Sequence, residues 1–166
     1  MYDLKIINAR IVDGTGLASF HGEIGIINNL IVDRGVKLGA SKNIYNAEGY
    51  TLSPGIIDTH THYDAQLTWD NLASPSLDLG VTTALIGNCG FTLAPCKPEH
   101  RDLNMLNLTK VEGMPYETLK EGIDWSYQTY REYLDLLDRK NLALNICSYI
   151  GHSAIRIWCM GEASME

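Results

Sequence analysis

The sequence predicts an α/β fold in which a β-rich segment precedes a parallel sheet. Residues 4–52 contain short apolar runs separated by turn residues, a pattern typical of a small sheet or half of a β-sandwich. Beyond them, three apolar strand-like runs each end in polar residues, and a helical pattern lies between the second and the third. The S-P-G sequence at 53–55 marks a boundary, so we expect one domain over 1–53 and another over 54–166.

The β-rich segment contains predicted strands that are only a few residues long. Asn28 and Asn29 separate two of these apolar runs, and asparagine tolerates positive φ, which predicts a two-residue hairpin turn. Residues 47–49, Ala-Glu-Gly, predict a second turn. The predicted strands of this segment are 4–7, 11–12, 23–27, 30–33, 44–45 and 50–52.

The second segment alternates strands with helical sequence. We predict strands at 55–59, 80–87 and 142–150, and a helix over about 126–140. Asp124 or Ser126 is the expected cap of this helix. Buried strands that alternate with helices indicate a parallel sheet. The expected core face of the helix has i, i+3, i+4, i+7 spacing and consists of Tyr130, Tyr133, Leu134 and Leu137.

Composition excludes several classes of function. The chain has 166 residues, 45% of them hydrophobic and 20% charged, which is an ordinary globular balance. A net charge of -7 argues against a nucleic-acid partner. No apolar run reaches the ~20 residues that span a bilayer, and the start lacks a signal-peptide pattern. The four cysteines form no C-x-x-C motif, so we expect reduced thiols in a cytoplasmic protein without a membrane partner.

Polar residues able to bind a metal follow the predicted parallel strands. Asp58, His60 and His62 end the first strand, Cys89 follows the second, and His152 follows the third. Active sites of parallel α/β folds collect at the carboxyl ends of strands. Residues two apart in an extended chain share one side, so we expect Asp58 and both imidazoles on one face. Imidazole together with thiolate favours zinc over magnesium or calcium.

Each of these residues also has a simpler interpretation. An H-x-H pair alone is a weak signal, because partly exposed histidines beside a loop give the same pattern. A lone cysteine such as Cys89 is more often a buried packing residue, and His152 fits a structural role or a pocket role equally well. Asp58 fits an anchor for local backbone. The other cysteines are expected to be structural; they are Cys96, Cys147 and Cys159.

Several stretches, taken in order, resemble the amidohydrolase superfamily. Within the superfamily, the similarity is to the N-acyl-D-amino-acid deacylase (D-aminoacylase-like) branch. The similar stretches are S-P-G-I-I-D-T-H-T-H-Y-D at 53–64, L-G-V-T-T-A-L-I-G-N-C-G-F-T-L-A-P at 79–95, V-E-G-M-P at 111–115, G-I-D-W at 122–125 and I-G-H-S-A-I-R at 150–156. The resemblance implies a (β/α)8 barrel of the TIM type and a small β-sandwich built from both chain ends. Segment 1–53 would then be the N-terminal half of the sandwich, and 54–166 the first three barrel strands of a truncated barrel.

The resemblance also implies a ligand set and a reaction. His60 and His62 would bind Zn2+ from the first barrel strand and Cys89 from the second, where other branches use a modified lysine. His152 and Arg156 would lie near the substrate, with Arg156 a candidate partner for its carboxylate. The remaining histidine ligands and a general-base aspartate are expected beyond residue 166. We therefore expect this chain to be incomplete and inactive alone.

The implied function is zinc-dependent hydrolysis of non-peptide amide bonds, with N-acyl-D-amino acids as the small-molecule substrates. One alternative is a cyclic amidase of the hydantoinase or dihydroorotase kind. The G-N-C-G stretch at 87–90 argues against it, since those branches usually use the modified lysine. The other alternative is a non-catalytic, truncated assembly module that keeps part of the fold.

Overall fold

The computed structural model describes residues 1–165 of the chain. It divides into two compact units, Met1–Pro54 and Gly55–Glu166. The predicted second domain, 54–166, ends in Glu166, which lies outside the described residues.

The first unit is a five-stranded mixed sheet. β1 lies in the middle, antiparallel to β2 and parallel to β4 and β5, while β3 extends the sheet beyond β2. The strands are β1 Tyr2–Ile11, β2 Phe20–Ile27, β3 Leu30–Gly35, β4 Ser41–Asn46 and β5 Thr51–Leu52.

The structure confirms the asparagine hairpin and corrects the strand count before it. Asn28 and Asn29 have φ of 50° and 62° and join antiparallel β2 and β3. The two strands predicted at 4–7 and 11–12 are one strand, because a bulge with Asn8 at φ 59° absorbs the irregularity. The turn near residues 47–49 is present, but it forms no hairpin: β4 and β5 each pair with β1 instead.

A polar pair lies beside the small core of this sheet. The buried core residues are Ala9, Ile11, Ile24 and Ala47. Lys5 Nζ lies 2.9 Å from Glu23 Oε2, and the side chains are only 11% and 16% exposed. The Leu38 backbone N–H donates to the same carboxylate at 2.8 Å. This hydrogen bond, followed by the one from Lys5, lowers the pKa of Glu23.

The second unit confirms the predicted α/β fold. Its three strands are parallel and adjacent in the order β6-β7-β8, as the apolar runs indicated, although each is shorter than predicted. The strands are β6 Ile56–Asp58, β7 Val81–Ile86 and β8 Asn145–Ser148; the helices are α1 Arg101–Glu112, α2 Tyr116–Gly122, α3 Tyr130–Arg139 and α4 His152–Met160.

Helix α3 was predicted from its periodicity, but the predicted N-cap residue was wrong. Thr129 is the N-cap: its hydroxyl accepts from the Glu132 N–H at 3.2 Å, and the Glu132 carboxylate accepts from the Thr129 N–H at 2.8 Å. This capping box satisfies two backbone donors at once, which a cap at Asp124 or Ser126 would leave unpaired. The helix therefore begins later than predicted.

The core of the second unit lies between the sheet and its helices. Tyr133 and Leu137 of the predicted helix face are buried, and Tyr130 and Leu134 pack against the same cluster. Other buried members include Leu67, Ala84, Ile86, Leu93, Leu119 and Leu136.

The cysteines only partly match expectation. All four thiols are free, and Cys96 is buried, as expected for a structural residue. Cys147 and Cys159 are exposed, so they do not fill the core. Among residues 1–165, no helix combines the length and apolar character needed to cross a membrane.

We expect Glu23→Gln to destabilise the first unit in a pH-dependent way. Because the pKa of Glu23 is lowered in the fold, its carboxylate stabilises the protein above its unfolded pKa of about 4.3, and this contribution is lost as the pH falls through the folded pKa. The substitution leaves Lys5 largely buried without its charged partner, at a cost of about 1–3 kcal/mol near neutral pH. Thermal melts at neutral and acidic pH measure this. Glu48→Gln, at an exposed position, is the control. An equal loss at both pH values would contradict the assignment.

Candidate metal centre

His60, His62 and Cys89 meet at the carboxyl edge of the parallel sheet. The two histidines follow β6, and Cys89 follows β7, its neighbour in the sheet. Cys89 Sγ lies 3.2 Å from His60 Nε2 and 3.8 Å from His62 Nε2. One donor atom from each residue lies within 4.8 Å of the others. Within residues 1–165 this is the one group of three such side chains with that spacing.

Hydrogen bonds to β7 fix the backbone around the histidines. Thr61 lies between them and is buried; its N–H and its hydroxyl both donate to the Leu85 carbonyl, at 3.0 and 2.9 Å. Asn88 Nδ2 donates to the same carbonyl at 2.8 Å and to the Thr61 carbonyl at 3.3 Å. The segments that carry the imidazoles and the thiol are thus tied to one carbonyl of one strand.

Asp58 does not join the cluster, which corrects the expectation of one shared face. The strand ends at Asp58, and the chain bends at residues 59–60. Asp58 Oδ1 accepts a hydrogen bond from the His60 N–H at 3.1 Å. Alternation of side chains therefore stops at Asp58, and its carboxylate anchors the backbone of His60 instead.

The loop that presents Cys89 has an unusual backbone. Gly87, Cys89 and Gly90 have φ of 78°, 56° and 81°. A side chain at position 87 would place its Cβ 2.4 Å from the Tyr149 carbonyl oxygen, so only glycine fits there. Cys89 has a side chain and still adopts the left-handed region, at a cost of roughly 1–2 kcal/mol. Such strain persists where the surrounding structure imposes it, often at functional sites.

Two carboxylates near the cluster were not identified from the sequence. Glu112, the last residue of α1, places Oε1 2.9 Å from His62 Nδ1, and its side chain is 13% exposed. Asp64 is 2% exposed and accepts from the Gly87 N–H at 3.1 Å. Burial, the largest cause, raises the pKa of Asp64 to about 7, against the opposing effect of the hydrogen bond from the Gly87 N–H; the negative charge of Glu112 contributes to the increase. Glu112 lies in the V-E-G-M-P stretch, whose only signal was the family resemblance.

The donor set fits a zinc ion. Zinc sites use neutral imidazole nitrogens and cysteine thiolates, and three protein ligands are typical of catalytic sites. His60 and Cys89 are exposed and His62 is partly buried, so solvent reaches the three donors.

His152 and Arg156 are not among the cluster's donors. His152 is the first residue of α4 and is exposed; a Cβ added at Gly90 would lie 3.7 Å from its Cβ, so α4 begins beside the Cys89 loop. Both residues line a cavity of about 320 Å³, together with Phe91, Asn107, Ser153, Ile157, Ser164 and Met165. Their role in substrate binding remains a prediction.

Comparisons with known proteins show that the chain is similar to amidohydrolases of the D-aminoacylase kind. No family model matches it. An uncharacterised protein of Mycobacterium tuberculosis is 34% identical over 170 residues, which cover 96% of this chain and 26% of that protein. The D-aminoacylase of Alcaligenes xylosoxydans xylosoxydans is 28% identical over 162 residues, covering 97% of this chain and 31% of the enzyme. The chain thus spans about a quarter to a third of the length of these relatives.

A solved D-aminoacylase structure extends this similarity to three dimensions. It is a protein with a binuclear metal centre, and it matches with a TM-score of 0.78 at 27% identity. The match covers 98% of this chain and 32% of that one.

We expect substitutions at Cys89 to separate strain from metal binding. Cys89→Gly removes the thiol and relieves the left-handed φ, whereas Cys89→Ser removes the thiol and keeps the strain. Without metal, the glycine variant should therefore have a higher melting temperature than the serine variant, and its free energy of unfolding should be higher by up to about 1 kcal/mol. Both should lose zinc affinity. Calorimetric melts and zinc titrations of the two proteins measure this. A glycine variant less stable than the serine variant would show that Cys89 is not strained.

Proposed function

We propose that this chain binds a zinc ion through His60, His62 and Cys89, and that the ion takes part in amide hydrolysis. The chain is a homologue of D-aminoacylase and corresponds to an N-terminal-like portion of such amidohydrolases. The homology supports a metal-dependent amidohydrolase. The convergence of two imidazoles and one thiol at one sheet edge carries the proposal.

The residues of the cluster have distinct roles in this proposal. Both imidazoles present Nε2 towards Cys89 Sγ, so three donors can face one ion. Cys89 would bind as the thiolate, which offsets part of the dipositive charge. A bound zinc ion would supply Lewis acidity for the attack of water on an acyl carbonyl. We assign no general base within residues 1–165, and the aspartate that the resemblance implies remains a prediction.

We further propose that β6, β7 and β8 are the first three strands of a TIM-type barrel. Their parallel order and the ligands at their carboxyl ends support this, because active sites of such barrels lie at that end. The sheet of the first unit would then be one half of a composite β-sandwich. Its apolar groove over Ile6, Ile24 and Ile26 supports a packed partner layer.

The proposed substrates are N-acyl-D-amino acids. The names of two relatives support this class: a D-aminoacylase and an N-acyl-D-aspartate deacylase, both from Alcaligenes xylosoxydans xylosoxydans. Every such substrate carries a carboxylate, which needs a cationic partner. We propose Arg156 for this role, with His152 and Asn107 lining the same cavity beside the Cys89 loop.

We expect the chain to bind zinc in a way that depends on the three proposed ligands. His60→Ala and Cys89→Ser each remove one donor, and the affinity for zinc should fall by more than about 100-fold, beyond the effect of losing an outer-shell partner. Cys147→Ser is the matched control, because Cys147 is also an exposed thiol of the same unit but lies outside the cluster. Zinc titration calorimetry measures the affinities. Unchanged binding by Cys89→Ser would contradict the ligand set.

The proposed substrate class is tested with matched amides. A protein that contains this chain together with the remaining catalytic groups should hydrolyse N-acetyl-D-leucine and not the L-isomer, while the 166-residue chain alone should show no turnover. Arg156→Ala should raise KM for the D-substrate, because it removes the partner of the carboxylate. Arg131→Ala, at an exposed position in α3, is the control. Preferential hydrolysis of a cyclic amide would favour the hydantoinase-like alternative instead. Turnover by the 166-residue chain alone would contradict the expectation that it is inactive without the remaining catalytic groups.

A further inference from the structure

The placement of Glu112 requires an explanation beyond stability. It is the last residue of α1, and Gly113 with φ 67° ends the helix immediately after it. The C-terminal end of a helix carries a partial negative charge, so a carboxylate there is unfavourable and a basic side chain would be favoured. Its side chain is also only 13% exposed.

The one cation-capable group near Glu112 is His62. Glu112 Oε1 lies 2.9 Å from His62 Nδ1, and no other basic group of the described residues lies within ion-pair distance of this carboxylate. Glu112 Oε1 is buried and makes no hydrogen bond in this structure, so the contact with His62 is one of distance and charge, which a proton on Nδ1 aligned with this oxygen would strengthen. Without it, a largely buried carboxylate would have no partner, which is costly.

The two nitrogens of His62 face different groups. Nδ1 lies against Glu112, while Nε2 lies 3.8 Å from Cys89 Sγ in the candidate metal centre. An imidazole that carries its proton on Nδ1 has the lone pair of Nε2 free for a metal ion. Metal-binding histidines commonly donate their other N–H to a carboxylate, which fixes the tautomer and the ring orientation.

We propose that Glu112 is a positioning residue that holds His62 in the tautomer and orientation needed for metal binding. The inference rests on the proposed metal-binding function of His62. It does not extend to His60, which has no carboxylate at ion-pair distance in the part of the chain that the structure describes. The supporting carboxylate thus comes from a helix that is distant in sequence from the histidine pair.

The test compares Glu112→Gln and Glu112→Ala in the metal-free and zinc-loaded chain. Glutamine keeps an acceptor oxygen but loses the charge, and alanine loses both. Zinc affinity, measured by competition with a chromophoric chelator, should fall by about 10- to 100-fold for alanine and by less for glutamine. Glu121→Gln in α2, at an exposed position, should leave affinity unchanged.

A second readout separates positioning from simple packing. Nitrogen-15 NMR of the imidazole side chains reports which ring nitrogen of His62 carries the proton. The wild-type chain should show the Nδ1-protonated tautomer, and Glu112→Ala should shift the population towards the other tautomer while the melting temperature of the metal-free chain stays the same or rises. A lower melting temperature with an unchanged tautomer would mean that Glu112 only packs, and would overturn the inference.

The two proposals fail in different ways. If Glu112→Ala bound zinc like the wild type while Cys89→Ser did not, the positioning role would be wrong and the metal site would stand. If the wild-type chain bound no zinc, the metal-binding proposal would fall, and the role of Glu112 with it.

Discussion

The candidate site depends on the parallel pairing of β6 with β7. Ile57 lies opposite Thr83 and Asp58 opposite Ala84, and this register carries His60 and His62 to the level of Cys89. A slip by one residue would shift each side chain to the other face of the sheet. The hydrogen bonds from Thr61 and Asn88 to the Leu85 carbonyl extend the same register past the end of β6. The geometry of the three donors is therefore a consequence of strand pairing, and not of the H-x-H spacing alone.

Several local preferences are violated around this site. Cys89 has a left-handed backbone that favours glycine, Asp64 is a carboxyl group buried away from water, and Glu112 lies at the unfavourable end of a helix. Each violation costs free energy that a sequence selected for stability alone would avoid. Their concentration beside one cluster is the pattern expected where function outweighs stability.

Local sequence patterns predicted the strands, turn and helix that neighbouring residues determine. Three apolar runs correspond to the parallel strands, and the paired asparagines form the β2–β3 turn. The spacing of Tyr133 and Leu137 identified α3. Helix α1 was not predicted because its apolar stripe is interrupted: Asn104 is buried while Leu106 is exposed. The exposure of Cys147 depends on which face of β8 is covered, and a run of mixed residues does not reveal that.

The site was predictable only in part for a related reason. Residue type and strand ends indicated that His60, His62 and Cys89 lie close together, but the family resemblance was needed to favour Cys89 as a ligand over a packing residue. Glu112 is recognisable only once α1 is packed, because its contact with His62 joins residues far apart in the chain. The capping residue of α3 was wrong because Asp124, Ser126 and Thr129 are all acceptable caps by type, and the reciprocal bond from Glu132 decides among them.

X-ray absorption at the zinc edge tests the central claim most directly. A zinc-loaded chain in which His60, His62 and Cys89 bind one ion must show a single sulfur scatterer at about 2.3 Å and imidazole nitrogens at about 2.0–2.1 Å. The sulfur contribution must vanish in Cys89→Ser. A shell of nitrogen and oxygen alone in the wild-type chain would show that the thiol is not a ligand, and would contradict the account.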